Sequence, residues 1–453
     1  MSWSVLNPVF KGNQVVVWNL TKTKPLFHIQ QLVVSVDLFK TLLTGGRLHL
    51  KQVSGRGAVL TLRQTNDHQL SIDGLNTLQS FTTQTTAPAA INTLLASFLS
   101  EPRVSLEAVE LHFYPASGIK WPTMRLDLLI DNTKSFHQLN AQLRFLDYTP
   151  STLRLIAEFE PLTHSTSTLD DMQAKLYLQG EQVALNRNAI TDFKLWANWQ
   201  QARFTEIQTQ ITSKQTTSLK IPQEDELFTV APFFASLKWQ FSSQGAPLLD
   251  GFVKNLHIQP WGHFPGVAGL NAYLHWTPTA GQLSTRSKDV LLQAPSFFEK
   301  PLHFDQFVGH LDWQQKDKQW QIQIPELFAS NSDLKINAQI GLDIPSGRKQ
   351  SHVRLFADVQ TNQAKAIAHY LPIHLISSQV RHWLNTAVLQ GSSHAKILMQ
   401  GPLDAFPFDQ QQGTFLADIP LQNAALRYEA IWPPVEKIKW SVNVCTTPNA
   451  DAY

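Results

Sequence analysis

The sequence is poor in cysteine, in charge and in long apolar runs, and each shortage removes a class of function. A single cysteine, Cys445, rules out an internal disulfide and any cysteine-built metal cage. So few thiols suit a reducing cytosol and equally an envelope protein that avoids mispairing, so the compartment stays open. Charged residues make up 16% of the 453 positions, against roughly 25% in ordinary soluble domains. The formal net charge is +2, and Gln, Asn, Ser and Thr fill the polar positions. Such a surface lacks the dense Lys and Arg that neutralise a phosphate backbone, which argues against nucleic acid as a partner. No apolar run approaches the ~18–20 residues of a membrane-spanning helix. Met1–Phe10 has no basic stretch leading into an apolar run, so no signal peptide is expected.

What is abundant is large and apolar. The chain has 26 Phe and 13 Trp against 7 Tyr and 4 Met, and these rings need somewhere to go. The dominant pattern has a period of two. Met124, Leu126, Leu128 and Ile130 alternate with Arg125, Asp127 and Asp131. Leu153, Leu155, Ala157 and Phe159 alternate with Arg154 and Glu158, and Phe193, Leu195, Ala197 and Trp199 with Lys194 and Asn198. The longest run places Leu334, Ile336, Ala338, Ile340, Leu342 and Ile344 against Lys335, Asn337, Gln339 and Asp343. Successive strand side chains face opposite sides, so each segment has one apolar and one wet face. Antiparallel sheets solvated on one side read this way, whereas buried parallel strands are apolar on both.

Helices are few. Thr86, Pro88 and the spacing of Ile91, Leu94, Leu95, Phe98 and Leu99 predict one ending at Pro102. A short turn is expected near 363–371 and a helix near 379–390, with Val380, Trp383, Leu384, Ala387 and Val388 on its apolar face. Pro222 with Glu224, Asp225 and Glu226 interrupts the alternation. The expected segments are therefore 1–222 and 223–453, the second holding both helical pieces.

The search for chemistry returns nothing catalytic. The sequence has no Gly-rich phosphate cradle, no His-Glu-x-x-His helix and no Gly-x-Ser-x-Gly elbow. Ser117 and Lys120 fit a Ser-x-x-Lys spacing but follow Tyr114-Pro115 and read as a turn. Asp170-Asp171 reads as a solvated turn or helix cap, and His263 as part of a compact turn. His303 and His310 flank Phe304 and Phe307 without metal-ligand spacing. No catalytic residue, cofactor or metal is expected.

The specialised residues are thus spent on shape. An apolar face shared by many strands is a core if the sheet closes on itself, or a groove if it curls into an open trough. The strand count favours the second: a mainly β, elongated, antiparallel, curled sheet forming an apolar groove, with a few short α-helices. Its lining is assigned to Leu126, Leu128, Leu155, Phe193, Leu195, Trp199, Trp320, Ile322, Leu334, Ile336, Ile340 and Leu342.

Several short stretches, in order, resemble a known family. They include Pro260-Trp261-Gly262-His263-Phe264-Pro265-Gly266, Tyr370-Leu371-Pro372 with Trp383-Leu384, and Gly401-Pro402-Leu403. Phe406-Pro407-Phe408, Gly413-Thr414-Phe415, Leu426-Arg427-Tyr428 and Ile431-Trp432-Pro433 follow. Together they resemble the YhdP branch of the AsmA-like envelope proteins of Gram-negative bacteria. The opening, Trp3-Ser4-Val5-Leu6-Asn7-Pro8 leading to Pro25-Leu26-Phe27-His28-Ile29, is similar to the start of an AsmA-type β-module. The resemblance implies a periplasmic protein, anchored to the inner membrane in full-length relatives, whose strands form a lipid-conducting groove. It implies phospholipid transport between inner and outer membrane, a part in the outer-membrane permeability barrier, and no enzyme activity. Phospholipid, the two membranes and other envelope proteins are the partners implied.

Relatives of this kind begin with a membrane-spanning helix and continue through further strands. The chain is accordingly expected to be a piece lacking both, its alternation fading from Cys445 to Tyr453. The competing reading is a non-enzymatic outer-membrane assembly or structural factor acting through exposed β-edges. A glycan-binding scaffold fits less well, because Trp199 and Trp320 lie in phase with aliphatics rather than on the wet face. A membrane barrel would need aromatic girdles and a closing strand.

Overall fold

A computed structural model describes residues 7–446 apart from 19–24, 46–47, 65–69, 73–101, 117–122, 133–135, 147–151, 162–171, 185–189, 201–202, 214–216, 221–226, 231, 243–245, 261–264, 346–349, 372–377, 409, 428–430 and 432. The expected helix at 86–99, the boundary at 222–226 and the motifs at Ser117, Asp170 and His263 lie outside the described residues. Strands dominate, and the chain divides into two units, Met1–Ile211 and Thr212–Tyr453.

The first unit holds β1 (Val9–Trp18), β2 (Pro25–Val36), a short helix α1 (Leu38–Leu43), β3 (Leu50–Gln64), β4 (Leu70–Ile72), β5 (Arg103–Tyr114), β6 (Met124–Asn132), β7 (His137–Phe145), β8 (Thr152–Pro161), β9 (Met172–Ala184), β10 (Ile190–Gln200) and most of β11 (Arg203–Ser213). From β5 to β10 each strand pairs antiparallel with the next. One departure from the expected antiparallel order is the parallel pair β3–β5, with Val53 opposite Val104 and Leu60 opposite Leu111. A parallel neighbour needs a crossover of a dozen or more residues, and the chain between Ile72 and Arg103 is long enough to supply it.

The second unit runs through β12 (Thr217–Lys220), β13 (Leu227–Val230), β14 (Phe233–Gln240), β15 (Leu248–Ile258), β16 (Gly266–Trp276), β17 (Ala280–Gln293), β18 (Leu302–Lys316), β19 (Gln319–Ser330), β20 (Leu334–Ile344), β21 (His352–Thr361), β22 (Val388–Pro402), β23 (Thr414–Leu426) and β24 (Val435–Thr446). From β14 to β24 each strand pairs antiparallel with the next. Among the described residues no pairing returns β24 to β12, so the sheet stays open. A 3-10 turn (Ala364–Tyr370) and α2 (Ser378–Ala387) interrupt it. They correspond to the helical pieces read from the sequence, although residues 388–390 already belong to β22. Cys445 and Thr446 still belong to β24, opposite Leu416 and Phe415.

Hairpin chemistry is local. Asp317 and Lys318 both have positive φ (50° and 62°) and join β18 to β19, the twist-matched two-residue turn. Asn331 Oδ1 accepts the backbone N–H groups of Asp333 and Leu334, both at 3.0 Å, and so turns β19 into β20.

Curl comes from bulges. Ala108, Gln182 and Asn255 have φ of 50°, 52° and 56°, and the register slips beside each one. Each backbone N–H is taken by a side chain on the next strand: Asp127 Oδ1 at 2.7 Å, Asp192 Oδ1 at 2.8 Å and Asn271 Oδ1 at 2.8 Å. An extra residue in one strand bends it and raises its twist, and the acceptors keep the displaced N–H groups satisfied. The bulges also preserve facing. In β5, Leu106 opposes Leu128 and Val109 opposes Leu126, so both stay on the apolar side.

Candidate functional site

The apolar faces line up across the strands. In the first unit Leu106, Leu128, Ala141, Leu155, Leu178 and Leu195 are successive cross-strand partners over six strands. Beside them run Leu126, Leu143, Leu153, Gly180 and Phe193. The Phe193 ring lies over Gly180, where a Cβ would collide with it. Trp199 pairs with Ala174, which pairs in turn with Phe159, farther along the same face. The five sequence-assigned residues Leu126, Leu128, Leu155, Phe193 and Leu195, with Trp199, are thus brought onto one face, all half-buried.

The second unit repeats the arrangement. Trp239, Leu249, Trp276, Gly281, Trp313, Ile322, Leu342 and Val353 form one row across eight strands. A parallel lane is smaller in side chain: Ala235, Val253, Ala272, Thr285 and Gly309 lead through Leu327 to Ala338, Ala357, Ile397 and Ala417. The five alanines of this lane are buried, as are Leu249 and Val353 of the row, whereas Trp239, Trp276, Trp313, Ile322 and Leu327 are only half-buried. A facing sheet would cover the large side chains as well. Here the small ones are shielded by their neighbours, and the face between stays accessible.

Two covers sit on this face. Ile367 and Tyr370 of the 3-10 turn pack against a cluster of Leu302, Phe304, Ala329 and Leu334, which Ile336 also joins. Tyr370 is anchored there: its hydroxyl donates to Asp333 Oδ2 at 2.8 Å and accepts from Asn331 Nδ2 at 2.7 Å. Burial, opposed by the Asn331 hydrogen bond and reinforced by Asp333, pushes the phenol up to about 12. The second cover is Phe406 and Phe408, packed edge-on with ring centroids 5.7 Å apart over Val353, Met399 and Leu342. Of the sequence-assigned residues, Leu334 is therefore buried core, and Ile336 and Leu342 pack against the two covered clusters. Trp320, Ile322 and Ile340 stay half-buried on the open stretch.

The opposite face is less purely polar than alternation implied. Phe356, Leu398 and Leu416 are cross-strand neighbours on it and are exposed. Tyr177 and Trp196 pack there with centroids 5.4 Å apart. Two constellations on this face bring polar side chains together. Ser284 Oγ lies 2.7 Å from His310 Nδ1, with Asp312 3.2 Å from Nε2. Ser284 and His310 are direct partners in the β17–β18 ladder, which engages the adjacent backbone N–H groups and leaves no oxyanion hole beside the serine. Asp289, His303 and Asp305 each bring one donor atom within 4.8 Å of the others, all exposed. Sequence spacing missed this trio because Asp289 sits at a left-handed bulge (φ 55°) on the neighbouring strand.

Among the described residues no helix is long and apolar enough to cross a membrane. What fold and site define is an open, curled antiparallel β-scaffold whose chemistry is a broad apolar face. Comparison with known proteins sharpens the class. Residues 235–445 match the family model described as YhdP protein, which bears out the resemblance read from the sequence. The chain is also 21% identical over 189 residues to the intermembrane phospholipid transporter YhdP of Escherichia coli (strain K12). That alignment covers 41% of this chain and 14% of the relative. No solved structure matches.

Proposed function

We propose that the chain holds phospholipid acyl chains on the apolar faces of its curled sheets, as a non-enzymatic part of lipid traffic between the inner and outer membranes. The observation that carries this reading is the apolar row over successive strands, in which most of the large side chains stay half-buried. Acyl chains bind by removal of apolar surface from water, without directional groups, and such a face offers that. The similarity to an intermembrane phospholipid transporter supports the lipid class, a periplasmic setting and the two membranes as partners. Trp320, Ile322 and Ile340 in the second unit, and Leu128, Leu155 and Leu195 in the first, are the lining residues proposed.

The test is to purify the chain, extract it with organic solvent and identify lipids by mass spectrometry, alongside transfer of a fluorescent phospholipid between liposomes. Co-purifying phospholipid is expected. Absence of both bound lipid and transfer, with crosslinking that captures only envelope proteins, would replace this reading by that of an assembly factor.

A further inference from the structure

At one end of the first unit the chain displays apolar side chains outward on a fixed support. The start of β1, the end of β2 and the start of β3 meet there, with Val9 opposite Ser35 and Val36 opposite Leu50. Between β2 and β3 stands α1, which buries none of its residues. Phe39 is 61%, Leu42 76% and Leu43 71% exposed, joined by Leu48 at 68% and Phe10 at 62%.

These residues are not on a loose loop. Asp37 Oδ1 caps α1 by accepting the Lys40 backbone N–H at 2.9 Å, and the Asp37 backbone N–H donates to the His49 carbonyl at 2.9 Å. The His49 backbone N–H donates to Thr41 Oγ1 at 3.0 Å, and the Thr44 N–H returns to the Lys40 carbonyl at 3.1 Å. Hydrogen bonds fix the helix to its flanking strands, while Phe39, Leu42 and Leu43 stay mostly exposed. Water is a poor solvent for large apolar side chains exposed to this extent.

Basic side chains outnumber acidic ones at this end. Lys11, Lys40 and Lys51 are exposed, whereas Asp37 is committed to the cap. Arg103, at the start of β5 beside β3, faces Asp131 across the β5–β6 pair. Apolar tips surrounded by lysines match the boundary between headgroups and acyl chains of an anionic bilayer, which takes the tips into its apolar layer and the ammonium groups at its surface.

We infer that α1 and its flanking strand ends form a docking lip that inserts Phe39, Leu42 and Leu43 into the surface of an anionic phospholipid membrane. The inference does not rest on the acyl-chain reading of the sheet face; a chain with an empty face would still dock.

The test is flotation of the full chain with vesicles of phosphatidylglycerol and phosphatidylethanolamine, and with vesicles of phosphatidylcholine alone. The wild type is expected to float with the anionic vesicles and much less with the zwitterionic ones. A Leu42→Ser/Leu43→Ser variant should lose about tenfold or more in bound fraction, and Lys40→Glu several-fold. Both should keep the wild-type circular dichroism and melting temperature, because α1 buries nothing. A Phe39→Trp reporter should shift its emission to the blue on anionic vesicles. No flotation of the wild type, or equal flotation of wild type and the leucine variant, overturns the inference. So does light scattering that shows a wild-type dimer converted to monomer by the leucine substitutions, which would make a second copy the occupant. Lipid co-purifying on the sheet face should be the same in wild type and variants, which separates failure here from failure of the acyl-chain reading.

Discussion

Asp127 bridges two strands: its Oδ1 accepts the backbone N–H of Ala108 at 2.7 Å and its Oδ2 accepts from Arg144 Nη2 at 2.9 Å. One carboxylate thus secures a bulge in β5 from β6 and ties both to β7. Replacing it with alanine leaves a displaced N–H without its acceptor. Because the site is partly exposed, Asp127→Ala should destabilise the first unit by about 1–2 kcal/mol. Asp127→Asn keeps an acceptor and should lose less. Urea denaturation followed by circular dichroism reads the difference, and equal midpoints for wild type and alanine variant would show that the cap is dispensable.

Ile340 tests the proposed lining most cleanly, since Leu334, Ile336 and Leu342 belong to or pack against the covered clusters. Ile340→Asp puts a carboxylate on the open stretch of apolar face, where acyl chains would have to desolvate it. Bound phospholipid should fall by about tenfold in the folded variant, whereas Gln339→Asp on the opposite face should leave it unchanged. Equal lipid content in both variants would remove this stretch from the binding face.

Tyr370 offers a pH signature. Its pKa rises from the ordinary 10 to about 12 in the folded chain, so the folded state keeps the phenol proton after the unfolded chain has begun to lose it. The resulting stabilisation is complete below pH 10 and is lost as pH climbs through 12. Tyr370→Phe should be less stable than wild type at neutral pH by about 1 kcal/mol. The gap should narrow between pH 10 and 12. A gap that stays constant over that window would mean the phenol does not titrate differently in the two states.

Gly180 and Phe193 form a matched pair across β9 and β10. A side chain at 180 meets the Phe193 ring and approaches Val183 Cγ2 to 2.7 Å. Gly180→Val should destabilise the first unit by about 1–3 kcal/mol through overpacking. Adding Phe193→Ala should recover part of that loss, a coupling that a double-mutant cycle measures. Strict additivity would separate the two positions.

Much of the fold was legible because alternation survives wherever one face is wet. The run from Leu334 to Ile344 is β20, end to end, and Met124 opens β6 as the pattern required. The bulges also leave a trace, a slip of phase from Leu106 to Val109 and from Val253 to Leu256, visible once a partner strand fixes the register. Other features were hidden for physical reasons. The parallel pairing of β3 with β5 depends on a crossover that no local pattern encodes. Leu334 looks like any other inward residue, and only the fold of Ala364–Tyr370 back onto it turns it into core. The membrane-facing reading of α1 rests on what the helix fails to bury, and a six-residue helix carries too short a period to announce itself.

Consecutive pairing from β14 to β24 has a further consequence for how such a chain is made. Every strand from β15 on finds a partner in the strand synthesised just before it, so contacts are short in sequence and ordering can advance with the ribosome. Each added hairpin extends the ladder without rearranging what is already folded, and an insertion or deletion of one hairpin disturbs mainly its two neighbours. Evolution can therefore lengthen or shorten such a sheet by whole hairpins, so that length becomes a variable separate from the chemistry of the face.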